Sequence, residues 1–457
     1  MEKREDLQAR PATSTINPRH LNQFQIPPHI QTNITRHLQR AAMNSQIFDI
    51  QPVSRFVGSN TAIRRPKACH LSLSSIQKNK IQSPDLMRIH QEIAYFSYDD
   101  QHNFHLDESS LRYYYPPRLP VDLNKGFDTF EKLDDTGDEH LDALLETIID
   151  LEKRTGAKCE ADLITWRGMM TKLMTAPFDN MNGYLIFHEL RVSKIGGNRG
   201  LRGLNSEAEV GVFNRFEMNA TYCPNRSSFI EENNAYKLAQ KQSQQNQKMP
   251  PGAPSQDMMS FWDQPWDATP REKIEGREDQ VVNNKAQYCS IVRTGIGGCK
   301  LVIGGEVDAV WDSKPDRKED PINWVELKTS AEIRNDRDMF KYERKLLKFW
   351  AQSFLLGVPK IIVGFRDEHG ILRRLEEMVT RDIPGLVARQ GKGTWDGNIC
   401  INFTAKFLEW LKLVIKDEGL WRIRRQEKSP VIEVFKLEDS GHGGILSQAF
   451  VDWRSSK

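Results

Sequence analysis

Paired cysteines are missing from this sequence. The six present (Cys69, Cys159, Cys223, Cys289, Cys299 and Cys400) are scattered, with no Cys-x-x-Cys spacing. That argues against a disulfide framework or a zinc site and favours a reducing compartment. Also missing is any apolar run approaching the ~18 residues that span a bilayer, so no membrane partner is expected. Met1 to Arg10 is too charged for a secretory signal, which points to a cytosolic or nuclear protein. There is no Walker-type phosphate loop and no Gly-x-Gly-x-x-Gly, and none of the 11 histidines falls at metal-ligand spacing. Nor does one sign of charge dominate, since 64 Lys and Arg face 62 Asp and Glu for a net +2. Near-neutrality neither requires nor excludes nucleic acid, because a basic groove can be offset by acidic surface elsewhere.

What is present is a globular composition, with 38% hydrophobic and 28% charged residues. The length suits one large catalytic domain or two ordinary ones. Residues 1–46 are rich in Gln, Asn, Arg and Pro without a period and read as a tail, and Phe48 opens the ordered part. We read 47–457 as a single domain with irregular insertions near 68–91 and 184–215 and a Gln/Pro-rich linker at 240–256. Helical spacing is expected over Leu141 to Leu151, Asp336 to Leu356 and Phe403 to Ile415. Strand character marks Glu92 to Tyr98, the aromatic run from Leu111, Ile322 to Lys328, Lys360 to Arg366 and Leu420 to Leu437. Gln287 to Thr294 and Lys300 to Trp311, around a glycine turn, predict a hairpin. This order lacks regular alternation, so the expected fold is α/β, with mixed β-sheets flanked by helices.

Chemistry concentrates in two tripeptides. Strand side chains alternate, so Glu306 and Asp308 share one face, and Glu326 and Lys328 share one face of the next strand. If those strands pair, three carboxylates and an ammonium converge. A hard dication such as Mg²⁺ or Mn²⁺ relieves the repulsion, because both prefer oxygen ligands. Lys328 then suits a scissile phosphate, and the whole is the acidic…Glu-x-Lys core of metal-dependent nucleases. Either tripeptide alone reads as a solvated face. The apolar flanks Leu301-Val-Ile and Trp324-Val make these central strands and favour the metal site. Taken singly, Arg167 reads as a surface stack beside Trp166, Gln352 as a polar helix residue and Cys289 as core.

Those residues sit within a longer series of motifs. It comprises Ile63-Arg-Arg-Pro, Ile93-Ala-Tyr-Phe-Ser-Tyr-Asp-Asp, Leu111-Arg-Tyr-Tyr, Thr165-Trp-Arg-Gly and Tyr288-Cys-Ser-Ile-Val-Arg-Thr. Gly305-Glu-Val-Asp, Glu326-Leu-Lys, Trp350-Ala-Gln-Ser-Phe and Val363-Gly-Phe-Arg-Asp follow. In this order, from about Phe48 to Trp453, the chain resembles the DXO-type RNA decapping nucleases, in particular the fungal nuclear branch that partners the Rat exoribonuclease. The resemblance implies hydrolysis of RNA five-prime ends that carry triphosphate, incomplete caps or NAD, and a nuclear location. It implies Glu306, Asp308, Glu326 and the Leu327 carbonyl as metal ligands, with Asp308, Glu326 and Lys328 catalytic. His102, Glu139, Trp166, Arg167, Gly168, Cys289, Glu306, Lys328 and Gln352 would line the substrate. One departure bears on competence: relatives carry a Gly-apolar-x-apolar-Glu motif whose glutamate completes the metal site. Here Met258-Met-Ser-Phe-Trp262 runs directly into Asp263-Gln-Pro-Trp-Asp. A non-catalytic or weakly catalytic partner that stabilises the exoribonuclease is therefore the alternative reading. A DNA nuclease with the same Glu-x-Lys core is a more distant one.

Overall fold

A computed structural model describes residues 69–72, 90–178, 215–223, 227–245, 254–262, 268–269, 281–317, 320–389, 391, 393–426 and 431–456. The expected tail, the start at Phe48 and most of both insertions lie outside the described residues, as does 246–253 of the linker. The strands are β1 (Cys69–Ser72), β2 (Gln91–Tyr98), β3 (Phe104–His105), β4 (Tyr113–Tyr114), β5 (Val121–Asp122), β6 (Leu163–Trp166), β7 (Phe216–Cys223) and β8 (Ser227–Glu232). They continue with β9 (Ala268–Thr269), β10 (Gln287–Ile296), β11 (Cys299–Glu306), β12 (Ala309–Val310), β13 (Trp324–Ala331), β14 (Lys360–Arg366), β15 (Ile371–Val379), β16 (Leu420–Arg425) and β17 (Val431–Glu438). Among the described residues they form two mixed sheets. The larger runs β1-β17-β16-β7-β8-β6-β11-β10-β2-β3, and the smaller runs β5-β15-β14-β13-β12-β4-β9.

Helices α1 (Asp142–Thr155), α2 (Arg167–Thr175), α3 (Asn234–Gln245), α4 (Gln256–Trp262), α5 (Asp336–Leu356), α6 (Ile383–Arg389), α7 (Gly397–Val414) and α8 (Gln448–Ser455) accompany the sheets. Mixed sheets with flanking helices are the architecture the sequence predicts. The longest helix, α5, has the predicted bounds. Asn335 caps it by accepting from the Arg337 and Asp338 amides, and Gly357, left-handed at φ 72, ends it. Helix α7 begins earlier than expected because Asp396 caps it at Gly397. Helix α3 corrects the linker, since 240–245 are helical. Glutamine is a good helix former, and Asn233 accepts from the Tyr236 amide to start the helix. The aromatic strand expected from Leu111 shrinks to two residues, Tyr113–Tyr114.

One apolar core joins β11, α2, α5 and β14. Leu301 and Ile303 of β11, Met170 and Leu173 of α2, Leu346 and Trp350 of α5, and Ile361 and Phe365 of β14 are all buried in it. Each large apolar side chain so buried contributes about 1.5–3 kcal/mol relative to exposure. The hairpin forms as expected, with β10 antiparallel to β11 around Gly297 at φ 60. The third strand departs from the expected arrangement. It does not pair with β11; instead β11 ends at Glu306, the chain changes sheet, and β13 pairs with β12 through Ala309↔Val325 and Val310↔Trp324. Lys314, in the loop after β12, ties that loop to the larger sheet through Glu92 of β2 and the Tyr288 hydroxyl of β10.

Candidate active site

The change of sheet builds the site. Glu306 closes β11 in the larger sheet, and two residues later Asp308 stands at the start of the smaller one. On β13 the alternation sends Val325 and Leu327 to an apolar cluster with Ala309 and Ile362. Glu326 and Lys328 take the other face. The Leu327 amide donates to Asp308 Oδ2 at 2.7 Å. Lys328 Nζ lies 2.7 Å from Glu326 Oε1 and 4.0 Å from Asp308 Oδ2. Arg167 Nη1 reaches the same Glu326 oxygen at 3.3 Å.

Two glycines let that arginine come close. Strand β6 runs parallel beside β11 with Trp166 opposite Gly304, and α2 starts at Arg167. A Cβ on Gly304 would lie 2.7 Å from the Trp166 ring. One on Gly305 would lie 2.9 Å from both Arg167 Cβ and Leu356 Cδ1. Side chains there would push the arginine turn off the strand.

Electrostatically the cluster is in conflict. Burial, and then Glu326, raise the Asp308 pKa to about 7. Burial also raises Glu306, although Arg112 and Arg167 pull against it. For Glu326, burial is outweighed by Lys328 and Arg167, which hold its carboxyl below the usual range. Lys328 shows the mirror image: burial opposes its charge, and Glu326 with Asp308 raises its pKa despite that.

The other expected residues fall at different distances from this centre. Cys289 is buried on β10 opposite Glu306, and burial followed by Glu306 pushes its thiol well up. His102 stacks on Tyr98 at 4.0 Å and hydrogen-bonds the Lys285 carbonyl through Nδ1. Its Nε2 is 3.3 Å from the exposed Glu139 without hydrogen-bond geometry. Trp166 turns away to the His140 carbonyl at 3.4 Å. Gly168 has open space about its Cα. Gln352 is half-buried on α5 and makes none of the contacts that tie the cluster together. The sequence reading missed Arg112, whose charge acts on Glu306 and whose Nη2 donates to the Ala286 carbonyl at 3.2 Å. Its signal lay in Leu111-Arg-Tyr-Tyr, read there as an aromatic strand and a family motif but not as a source of a site residue.

Among the described residues no three carboxylate, imidazole or thiol groups are closed to coordination spacing. Lys328 and Arg167 hold Glu326 Oε1 instead. Yet Glu326 is 1% exposed, and its Oε2 has no hydrogen-bond partner among the described residues. A buried carboxylate oxygen left unpaired is costly. An all-oxygen donor set with such an atom fits a hard divalent cation.

A family model, the RAI1-like PD-(D/E)XK nuclease, matches residues 90–198 and 208–451. The decapping nuclease RAI1 of Aspergillus fumigatus is 61% identical over 423 residues, spanning 90% of this chain and all of that protein. That of Yarrowia lipolytica is 34% identical, across 77% of this chain and 91% of its own length. Among solved structures, Candida albicans Rai1 in complex with pU5-Mn²⁺ superposes with a TM-score of 0.69 at 26% identity, covering 86% of this chain and 100% of that one. Schizosaccharomyces pombe Rai1, in complex with 3′-FADP, gives 0.60 at 28% identity, covering 81% and 100%. With its fold, its Glu-x-Lys cluster and these relatives in agreement, the chain belongs to the RAI1-like PD-(D/E)XK nuclease family.

Proposed function

We propose that this chain is a metal-dependent hydrolase that removes triphosphate, incomplete caps or NAD from RNA five-prime ends in the nucleus. The observation that carries the reading is Glu326, buried, gripped on one oxygen by Lys328 and Arg167 and, among the described residues, unpartnered on the other. Glu306, Asp308 and Glu326, with the Leu327 carbonyl, would hold Mg²⁺ or Mn²⁺. Such a cation supplies charge stabilisation to a transferring phosphoryl group and lowers the pKa of water. Lys328 and Arg167, already 2.7 and 3.3 Å from Glu326, are cations that a phosphate can recruit as it enters. Cys289, Trp166, Gly168, Gln352 and the His102–Glu139 pair would line the five-prime nucleotide.

The test is Mn²⁺-dependent cleavage of triphosphate-, unmethylated-cap- and NAD-capped RNA, with Glu326→Gln run beside the native chain. Cleavage by the native chain alone is the expected result. Folded protein that leaves all three RNAs intact overturns it. A tagged chain confined to the cytoplasm would overturn the nuclear part.

A second reading is favoured by the absent Gly-apolar-x-apolar-Glu segment, which leaves three carboxylates facing Lys328, Arg167 and Arg112. In it the chain binds and stabilises a Rat-type five-prime-to-three-prime exoribonuclease with little catalysis of its own. Capture of that enzyme by both the native chain and Glu326→Gln supports this reading, and failure to capture it counts against it.

A further inference from the structure

The exposed side of α5 carries charge of one sign. Arg337, Lys341, Lys345 and Lys348 are exposed and Arg344 is half-buried. At 100° per residue all five fall on one stripe about a quarter of the circumference wide. Beyond the first turn the one acid of the helix is Glu343. It is buried on the opposite side and accepts from the Thr394 hydroxyl. An ordinary surface helix sets glutamates among its lysines at i,i+4 spacing. Here 337 and 341, 341 and 345, and 344 and 348 are like charges at that spacing, which works against the helix. In a chain with a net charge of only +2 the stripe is not a by-product of overall basicity.

The stripe also has a direction. Its next member is Gln352, and one turn further Leu356 packs at Gly305 beside Arg167 Cβ. Arg337, Lys341, Lys345 and Lys348 are exposed, whereas Leu355 and Leu356, where the helix meets the site, are buried. From Arg337 to Gln352 it spans about 22 Å at 1.5 Å per residue.

We infer that this stripe is a track for the phosphodiester backbone of single-stranded RNA, guiding the body of the substrate away from the cluster at Glu326. The inference rests on the five-prime-end reading of that cluster and adds where the rest of the RNA lies. Evenly spaced cations with no apolar residue among them suit a sugar-phosphate chain better than a protein surface, whose contacts centre on apolar anchors.

The measurement is fluorescence anisotropy of five-prime-phosphorylated oligouridines, a dinucleotide and one of about twenty nucleotides, across a salt series without divalent cation. The native full-length chain is compared with Lys341→Gln/Lys345→Gln/Lys348→Gln, glutamine being a comparable helix former. A charge-matched control neutralises the exposed Lys158, Lys406 and Lys416, and thermal unfolding confirms that each variant folds. The stripe variant is expected to lose about tenfold or more in affinity for the long RNA. Its salt slope should fall by about 0.7 for each cation removed, while the control changes neither. Long-RNA affinity and slope equal to those of the native chain would overturn the track and leave the stripe to a protein partner. Equal loss for dinucleotide and long RNA would overturn it too, because the damage would then lie in the cluster. Cleavage is not the readout, so a chain inactive on every capped RNA would refute the reading of the cluster while this comparison still decides the track.

Discussion

Lys314 and Lys328 resemble each other closely and do different things. Their side chains are 18% and 20% exposed, and each lies 2.7 Å from a glutamate. Around Lys314 everything is matched. Glu92 takes its charge, the Tyr288 hydroxyl accepts at 2.8 Å, and the Tyr95, Tyr288 and Trp324 rings lie 4.1, 5.3 and 5.8 Å away. The second oxygen of Glu92 accepts from Ser290 at 2.6 Å. Around Lys328 the matching fails. Arg167 competes for the same oxygen, Glu326 Oε2 has no partner among the described residues, and Asp308 is pushed toward neutrality. A buried charge whose neighbours are all satisfied is architecture, whereas one whose neighbours are in conflict marks a place prepared for something else.

Substituting each lysine tests that contrast most directly. Lys328→Met is expected to cut turnover on five-prime-modified RNA by about 10²–10³-fold, the range for losing one preorganised electrostatic group. Single-turnover kinetics would show it. Lys314→Met should instead cost about 1.5–3 kcal/mol in urea unfolding, because Glu92 loses the cation on its Oε1. Turnover per folded molecule should stay near native. Swapped outcomes would break the comparison. Gly305→Ala probes the border between the two regions. Its Cβ has no room beside Arg167 and Leu356, so a loss of about 1–3 kcal/mol is expected by thermal melting, with a raised KM as the arginine moves.

His90, half-buried edge-on against the Phe354 ring, extends the rule to a group with one unsatisfied nitrogen. Its Nε2 has no hydrogen bond among the described residues, and burial lowers its pKa from 6.5 to about 4. The unfolded chain therefore takes the proton first. Stability present above pH 6.5 is lost as pH falls toward 4, with a slope of at most about 1.4 kcal/mol per unit. Urea unfolding across that window should show a shallower slope for His90→Gln, and an unchanged slope would remove His90 as the cause.

Legibility followed the range of the interactions. Helix α5 and strand β14 could be read to the residue because capping, periodicity and a glycine stop are local signals. The hairpin of β10 and β11 was equally plain. The proximity of Glu306, Asp308, Glu326 and Lys328 was anticipated by a route that the structure corrects. Alternation suggested one continuous strand pairing with the next, whereas a two-residue β12 and a change of sheet bring them together. Nothing local announces a two-residue strand. Arg112 and Lys314 were passed over because the partners that define them lie 174 and 222 residues away in the chain. Helix α3 is misjudged for a different reason, its glutamines reading as the start of a linker although they favour helix.

The passage from Glu306 to Asp308 has a mechanical side. One carboxylate is fixed to the larger sheet and the other to the smaller, with Val307 alone between them. The candidate centre is thus a seam between two plates. Whatever grips both sides acts as a rivet, so filling the centre should stiffen the joint and make the plates come apart together or not at all.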